Sequence, residues 1–268
     1  MRFEIRSFAS DADYEACFRL QKETWGEGFV DVVPPAIQKV AQKIGGVAAG
    51  AFDEAGRLVA FVFGMTGVKN GRIVHWSDML AVRPEARDAG LGEKLKRRQR
   101  EICLAIGCDE MLWTCDPLVA RNAHLNFTKL GADIADYVVD MYGAAGETSA
   151  LARGIGTDRF LVSWRLADPA TVALLEGKKR FDPAAYATAP IVNTRLGPKG
   201  PQPIAPTLPA TGPIRIEIPE WIHDPAILAD GARWRSSTRA AFQAALASGR
   251  RLRGFHRDSA HRCFYTLT

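Results

Sequence analysis

Apolar and polar residues change period several times along this chain, and each change marks an element. FEIRSF alternates as a half-buried strand does. Ser10, followed three residues later by Asp13, is the start signal of a helix through DADYEACFRLQKETW, where Tyr14, Phe18 and Trp25 can share one face. Pro34 and Pro35 open a second helix, AIQKVAQKI, which Gly45 and Gly46 end. VAAGAF, the turn DEAG and LVAFVFGM read as a hairpin, and IVHWSDMLAV as a longer strand after it.

A helical period returns in GLGEKLKRRQREICLAIG, with Leu91, Leu95, Ile102 and Ile106 near one face and Lys94, Arg97, Arg98 and Arg100 left to solvent. Gly107 ends it. EMLWTC is a further strand, VARNAHLNFTKLG a helix stopped by Gly131, and IADYVVDMY and RFLVSWRL two more strands around a loop of small residues, GAAGETSALARGIGTD, expected to be mobile. After Leu166 the pattern changes. Eight of the fifteen prolines fall between Pro183 and Pro213, which predicts an extended surface linker. IRIEI, a helix around ILADGARWRSSTRAAFQAALASG, RLRGF and CFYTL then form a small β-α-β-β tail.

At 268 residues, 47% hydrophobic and 24% charged, the chain can bury a substantial core. No apolar run approaches the length of a bilayer and MRFEIRSFASDADYE lacks an apolar signal core, so the expected location is cytoplasmic, without a membrane partner. Five cysteines with no CxxC pair point to reduced, partly buried thiols. The net charge is +5, and Asp230 to Arg262 carries eight arginines against two aspartates. A solvated helix face is the expected reason, since no interleaved aromatics or known motif speak for nucleic acid. His256 and His261 flank a turn between strands, so their spacing does not make a metal pair.

The segment VRPEARDAGLGEKL sets an arginine and two glycines between a strand and a helix. Gly90 and Gly92 let a backbone approach a pyrophosphate, the N–H groups of Asp88, Ala89, Gly90, Leu91 and Gly92 can donate to its oxygens, and Arg87 can add charge. RDAGLG fits the R/Q-x-x-G-x-G/A signature of the GNAT superfamily of acyl-CoA-dependent N-acyltransferases, and NAHLNFTKLGA is similar to that family's later helix. The resemblance covers residues 1–166 and implies an α/β (α+β) fold with a mixed, centrally splayed sheet flanked by helices. It divides the chain into an acyltransferase domain at 1–166, a linker at 167–212 and a tail subdomain at 213–268.

The resemblance further implies acetyl-CoA or another acyl-CoA as co-substrate, no metal, and a primary amine of a small molecule or peptide as acceptor. Leu80, Ala81 and Val82 would pair with the pantetheine arm as a strand edge does, with a backbone N–H near Leu80 meeting the thioester oxygen. Asn122 and Phe127 of the later helix would line the coenzyme. Phe127 stands where the family usually has a tyrosine that protonates the leaving thiolate, and Tyr137 and Tyr142 follow it. For the general base, Asp78 and His75 are the nearest titratable residues; alternation puts Asp78 with Leu80 on one face and His75 with Ser77 and Met79 on the other, so at most one meets the substrate. Glu23 and Asp116 are further candidates.

The tail is expected to dock on the main fold or on a second copy in a homodimer, where Trp221, Trp234 and the arginines from Arg233 to Arg239 could shape the acceptor site. Two other functions stand beside the transferase: a non-catalytic acyl-CoA sensor, motivated by Phe127, and a protein that binds nucleic acid or an acidic partner through the basic tail.

Overall fold

A computed structural model describes residues 2–143, 155–198 and 200–268. Most of the small-residue loop expected to be mobile, 144–154, lies outside them. In chain order the elements are β1 (Glu4–Ser7), α1 (Asp11–Trp25), α2 (Pro35–Lys43), β2 (Val47–Phe52), β3 (Leu58–Lys69), β4 (Arg72–Val82), α3 (Leu91–Ala105), β5 (Glu110–Cys115) and α4 (Ala120–Ala123), which runs into a π-helix, His124–Lys129. There follow β6 (Asp133–Val138), β7 (Arg159–Arg165), α5 (Pro169–Leu175), β8 (Thr194–Gly197), β9 (Gly200–Pro203), β10 (Ile214–Ile218), α6 (Pro225–Leu228), α7 (Gly231–Ala247), β11 (Leu252–Arg257) and β12 (Cys263–Leu267). The first seven strands form a mixed sheet in the order β1-β2-β3-β4-β5-β7-β6.

The chain divides into two compact units, Met1–Trp113 with Ser163–Pro169, and Thr114–Val162 with Ala170–Thr268. The division does not follow the boundary at 166/167 expected from the sequence: the chain passes from one unit to the other within β5, within β7 and at the start of α5.

In the first unit, β1 to β4 are successive antiparallel neighbours and β5 joins β4 in parallel. One face of β2 and β3 packs against α1 and α2 through Phe8, Tyr14, Cys17, Leu20, Phe61 and Phe63. The start signal of α1 is a full capping box: Ser10 Oγ accepts from the Asp13 N–H at 3.3 Å, and Asp13 accepts from the N–H groups of Ala9 and Ser10 at 2.9 and 3.2 Å. Arg6 grips the same carboxylate at 2.7 and 3.0 Å, and mainly for that reason its pKa falls to about 2. A carboxylate depressed in the folded state stabilises the protein above the unfolded value of about 3.9, and that contribution disappears as pH falls toward the folded one. Asp13→Ala should therefore cost about 1–2 kcal/mol at neutral pH, with the difference from wild type shrinking as acid protonates Asp13, read by urea unfolding at several pH values.

In the second unit the tail forms a three-stranded antiparallel sheet, β10-β12-β11, against which α7 packs. Phe127, Tyr137, Phe160, Phe242 and Tyr265 share one cluster of edge-on and stacked rings. The proline-rich stretch is not the solvated linker its composition predicts. It contains the β8–β9 hairpin, and buried Asn193 pins it to β10 by exchanging hydrogen bonds with the Glu217 backbone, 2.8 Å each way.

The tail arginines are equally committed. Arg235, 3% exposed, forks onto Asp116 at 2.8 and 2.7 Å, Arg239 onto Asp158 at 2.8 and 2.6 Å, and Arg262 onto Glu217 at 2.7 and 2.8 Å. Burial opposes the charge on Asp158, but the bonds from Arg239 and Tyr137 outweigh it and hold its carboxyl below the usual range. Much of the positive run read from the sequence as a wet helix face is thus internal ion pairing.

Candidate functional site

β4 is the strand on which the site is built, and its register with β3 slips once. Phe63 pairs with Met79 and Gly64 with Ser77, so Asp78 is an extra residue in a β-bulge. A slip of one residue exchanges the faces. His75 and Ser77 point at α3, where Gln99 meets both, whereas Met79 and Ala81 belong to the core under α1 and α2. Simple alternation therefore misplaced Met79 with Ser77. Asp78, the extra residue, is exposed. Desolvation by the surrounding protein raises its carboxyl pKa, the Trp76 side chain beside it as a donor works the other way, and the charge of Asp31, in the α1–α2 connection, adds to the rise.

Just before the bulge, from Ser77 onward, β4 loses its parallel neighbour. Its register partners on β5 run from Val74↔Glu110 to Trp76↔Leu112, while β4 itself continues through Ser77–Val82. The two strands fork there, and Leu80, Ala81 and Val82 lie along the free edge. Such an edge presents backbone donors and acceptors to an extended ligand.

The chain then turns through Pro84–Ala86 into the glycine loop. Asp88 and Gly90 both adopt left-handed backbone, at φ 66° and 70°, and Gly90 is the N-cap of α3 with no side chain capping it. Among the described residues none offers a backbone acceptor to the N–H groups of Asp88, Ala89 or Gly90, and those of the first helical turn have no partner inside the helix. A Cβ on Gly90 would meet no atom within 4 Å, so open space faces the turn. Arg87 is exposed beside it. These residues form a set of donors at a helix N-terminus, a chemistry suited to an anion such as a pyrophosphate.

The opposite face of the fork is polar inside. Lys96, 3% exposed, donates to Ser77 Oγ at 2.7 Å, lies 3.8 Å from the centre of the Trp113 ring and 3.7 Å from Met111 Sδ. Ser77 donates to Gln99 Oε1 at 3.0 Å, and Gln99 Nε2 meets His75 Nε2 at 2.9 Å. With Nε2 accepting, His75 Nδ1 is the donor to Thr66 Oγ1 at 2.9 Å, and Thr66 in turn donates to the Gly45 carbonyl at 2.6 Å. Burial, reinforced by the Lys96 charge, lowers the His75 pKa to about 3. His75 is thus a neutral, fully buried member of a structural network, not a base in reach of substrate. Gly64 makes room for it: a Cβ there would stand 2.3 Å from His75 Nε2.

By sequence, no protein-family model and no curated protein matches the chain. By structure it is similar to a GNAT-family acetyltransferase from Streptococcus pneumoniae, at 18% identity and TM-score 0.48 over 60% of this chain and 98% of that one. It is similar to the NatC complex bound to Gag peptide and CoA at 13% identity and TM-score 0.50, over 62% of this chain and 99% of that one. A putative acetyltransferase from Acinetobacter baylyi ADP1 also gives 0.50, at 14% identity, over 63% and 94%. The chain has the GNAT fold.

The GNAT fold accounts for where the remaining candidates lie. Leu80–Val82 and Arg87–Gly92 are consecutive parts of one β4–α3 segment in the first unit. Asn122 and Phe127 belong to the second unit, Asn122 exposed on α4 and Phe127 4% exposed with its ring against Phe160 and Tyr265. Phe127 is a core residue and not a surface for the coenzyme. Glu23 is taken up by an ion pair with Arg83, and Asp116 by Arg235, which removes both from the candidate bases. Tyr137 is buried and bonded to Asp158 at 2.7 Å, while the half-exposed Tyr142 meets Thr114 Oγ1 at 2.8 Å. Trp234 is buried; Trp221 is exposed, 5.6 Å from the Arg121 guanidinium. Sequence reading missed Lys96 and Gln99 because the hydrophobic pattern of α3 assigns polar residues to solvent, whereas its buried stripe is Leu91, Leu95, Lys96, Gln99 and Cys103. Among the described residues no group of three or more His, Cys, Asp or Glu could hold a metal, and no helix is long and apolar enough to cross a membrane.

Proposed function

We propose that the chain is an N-acyltransferase that moves an acyl group from acetyl-CoA or another acyl-CoA to a primary amine of a small molecule or peptide. The observation that carries this reading is the continuity of one segment: a bulged strand with a free edge runs directly into a left-handed glycine turn and a bare helix N-terminus. The turn and helix end would hold the pyrophosphate, and Leu80–Val82 the pantetheine arm, with the Leu80 N–H toward the thioester oxygen. A structure of this fold with CoA and a peptide bound together, the NatC complex, supports an amine of peptide type among the acceptors.

In direct transfer the amine nitrogen bonds the acyl carbon, the carbon–sulfur bond breaks, Asp78 takes the proton released by the amine, and the thiolate leaves to be protonated from solvent or a nearby hydroxyl. Asp78 fits this role because it is exposed at the bulge and its raised pKa makes it a better acceptor of protons than an ordinary carboxylate.

The test is calorimetry with acetyl-CoA, followed by amine-dependent release of free thiol. Gly90→Val should weaken acetyl-CoA binding at least ten-fold, because a branched side chain both resists φ 70° and enters the space facing the turn. Unchanged affinity would sink the phosphate cradle. A non-catalytic acyl-CoA sensor is the second reading, favoured by the lack of a hydroxyl on Phe127; it predicts binding without thiol release across an amine library. A nucleic-acid surface on the tail loses its support where Arg235, Arg239 and Arg262 are bound to carboxylates.

A further inference from the structure

We infer that the first unit associates with a second copy of this chain through the outward face of α2 and the apolar ground beside its C-terminal end, in a two-fold symmetric dimer. This does not depend on the N-acyltransferase reading.

The helix α2 shows its apolar side to solvent. Its buried residues are Gln38 and Ala41, whereas Ile37, Val40 and the C-cap Ile44 are exposed. At about 100° per residue those three fall within a sector of about 60°. That is the kind of stripe a surface helix ordinarily lays on its core. Polar bonds hold the inner side instead: Gln38 Nε2 donates to the Val33 carbonyl at 2.8 Å, and Gln42 accepts from the Tyr14 hydroxyl at 2.8 Å and donates to the Phe8 carbonyl at 3.0 Å. These bonds fix the roll of the helix, so the stripe stays outside.

The stripe continues past the helix end. Gly45 joins it to two other elements: a Cβ there would stand 3.3 Å from Ile106 Cδ1 at the end of α3, and its carbonyl accepts from Thr66 Oγ1 on β3 at 2.6 Å. Two residues further along β3, on the side of Thr66, Val68 pairs with Ile73 of β4. Ile37, Val40, Ile44, Val68, Ile73 and Ile106 all lie in the first unit and are 39–75% exposed.

Area points to the occupant. An aliphatic side chain carries about 100 Å² of apolar surface, so these six together expose about 300 Å². A homodimer interface takes about 800 Å² from each partner, about 65% of it apolar, so the patch supplies more than half of the apolar share. Interfaces with occasional partners are no more apolar than ordinary surface, whereas a copy that is always present can cover such a face permanently. The helix sequence also suits a two-fold axis. In an antiparallel pair of α2 helices crossing beside Val40, Ile37 meets Ile44 of the partner subunit, and neither Lys39 nor Lys43 falls opposite a lysine.

Sedimentation equilibrium of the full chain from about 0.5 to 50 µM tests the inference. The chain should behave as a dimer with a Kd at or below about 1 µM. Val40→Glu sets two carboxylates beside the axis and should weaken association at least about 100-fold, while Val40→Leu should keep it. Val40→Cys, which leaves the site apolar, should be joined to a second copy by a short bis-maleimide linker, and the wild-type chain should not, because its five cysteines are buried. A monomer at the highest concentration, a dimer indifferent to Val40→Glu, or one released instead by Trp221→Ser at the exposed tail aromatic would overturn the inference. If Val40→Glu does not fold, the Val40→Cys linkage decides, and its absence overturns the dimer equally.

Discussion

Asp78→Asn should lower kcat/KM for amine acylation by about 10²–10⁴-fold while leaving acetyl-CoA affinity within about two-fold of wild type. The amide keeps the size of the carboxylate and the bulge that carries it, but it cannot take the proton that the attacking amine must release. Asp78 also supplies a pH signature. Its pKa is raised, chiefly by desolvation, so its basic form accumulates as pH rises through a midpoint above the usual value of about 3.9. On the N-acyltransferase reading, activity of the wild-type chain should climb through that midpoint, and the variant should lose this limb and keep any later one that belongs to the amine. Steady-state kinetics from acid to neutral pH, with the coenzyme saturating, read both effects. Turnover equal to wild type in Asp78→Asn would remove Asp78 as the base.

Asp116→Ala should destabilise the second unit by about 3–5 kcal/mol, because it leaves the guanidinium of Arg235 buried without its carboxylate. Arg235 would retain one bond, to the Ile155 carbonyl at 2.9 Å, and Arg159, 3.5 Å from Asp116, would lose its partner too. The double variant Asp116→Leu with Arg235→Met should recover most of the loss, since removing both charges also removes the cost of burying them. Urea unfolding followed by tryptophan fluorescence measures the three forms; a loss under about 1 kcal/mol in Asp116→Ala would mean that the pair is open to water in solution.

Much of this was legible in the sequence where the information is local. The capping box at Ser10 and Asp13, the hairpin turn at DEAG and the helix start at Gly90 depend on residues a few positions apart, and all three stand where the pattern put them. The α3 stripe was only half legible. Leu91 and Leu95 are buried as the pattern requires, but Lys96 and Gln99 are buried beside them and Ile106 is 39% exposed, since the partners that accept the polar pair come from β4 and not from the helix. Phe127 was read as a surface for the coenzyme because its neighbours in sequence resemble a binding helix; its neighbours in space, Phe160 and Tyr265, make it core.

By itself the sequence determined the order of strands and helices as far as β7 and the glycine turn, because periodicity and backbone freedom are properties of short segments. Only the tertiary structure decided which candidates are buried or paired. One extra residue opposite Phe63 and Gly64 leaves Asp78 exposed while His75 is sealed under α3, and alternation along a single strand cannot reveal a bulge that exists only against its partner. The tail arginines follow the same physics: a run of positive charge is local, but the carboxylates that neutralise it arrive from positions as distant in the chain as Asp116 and Asp158.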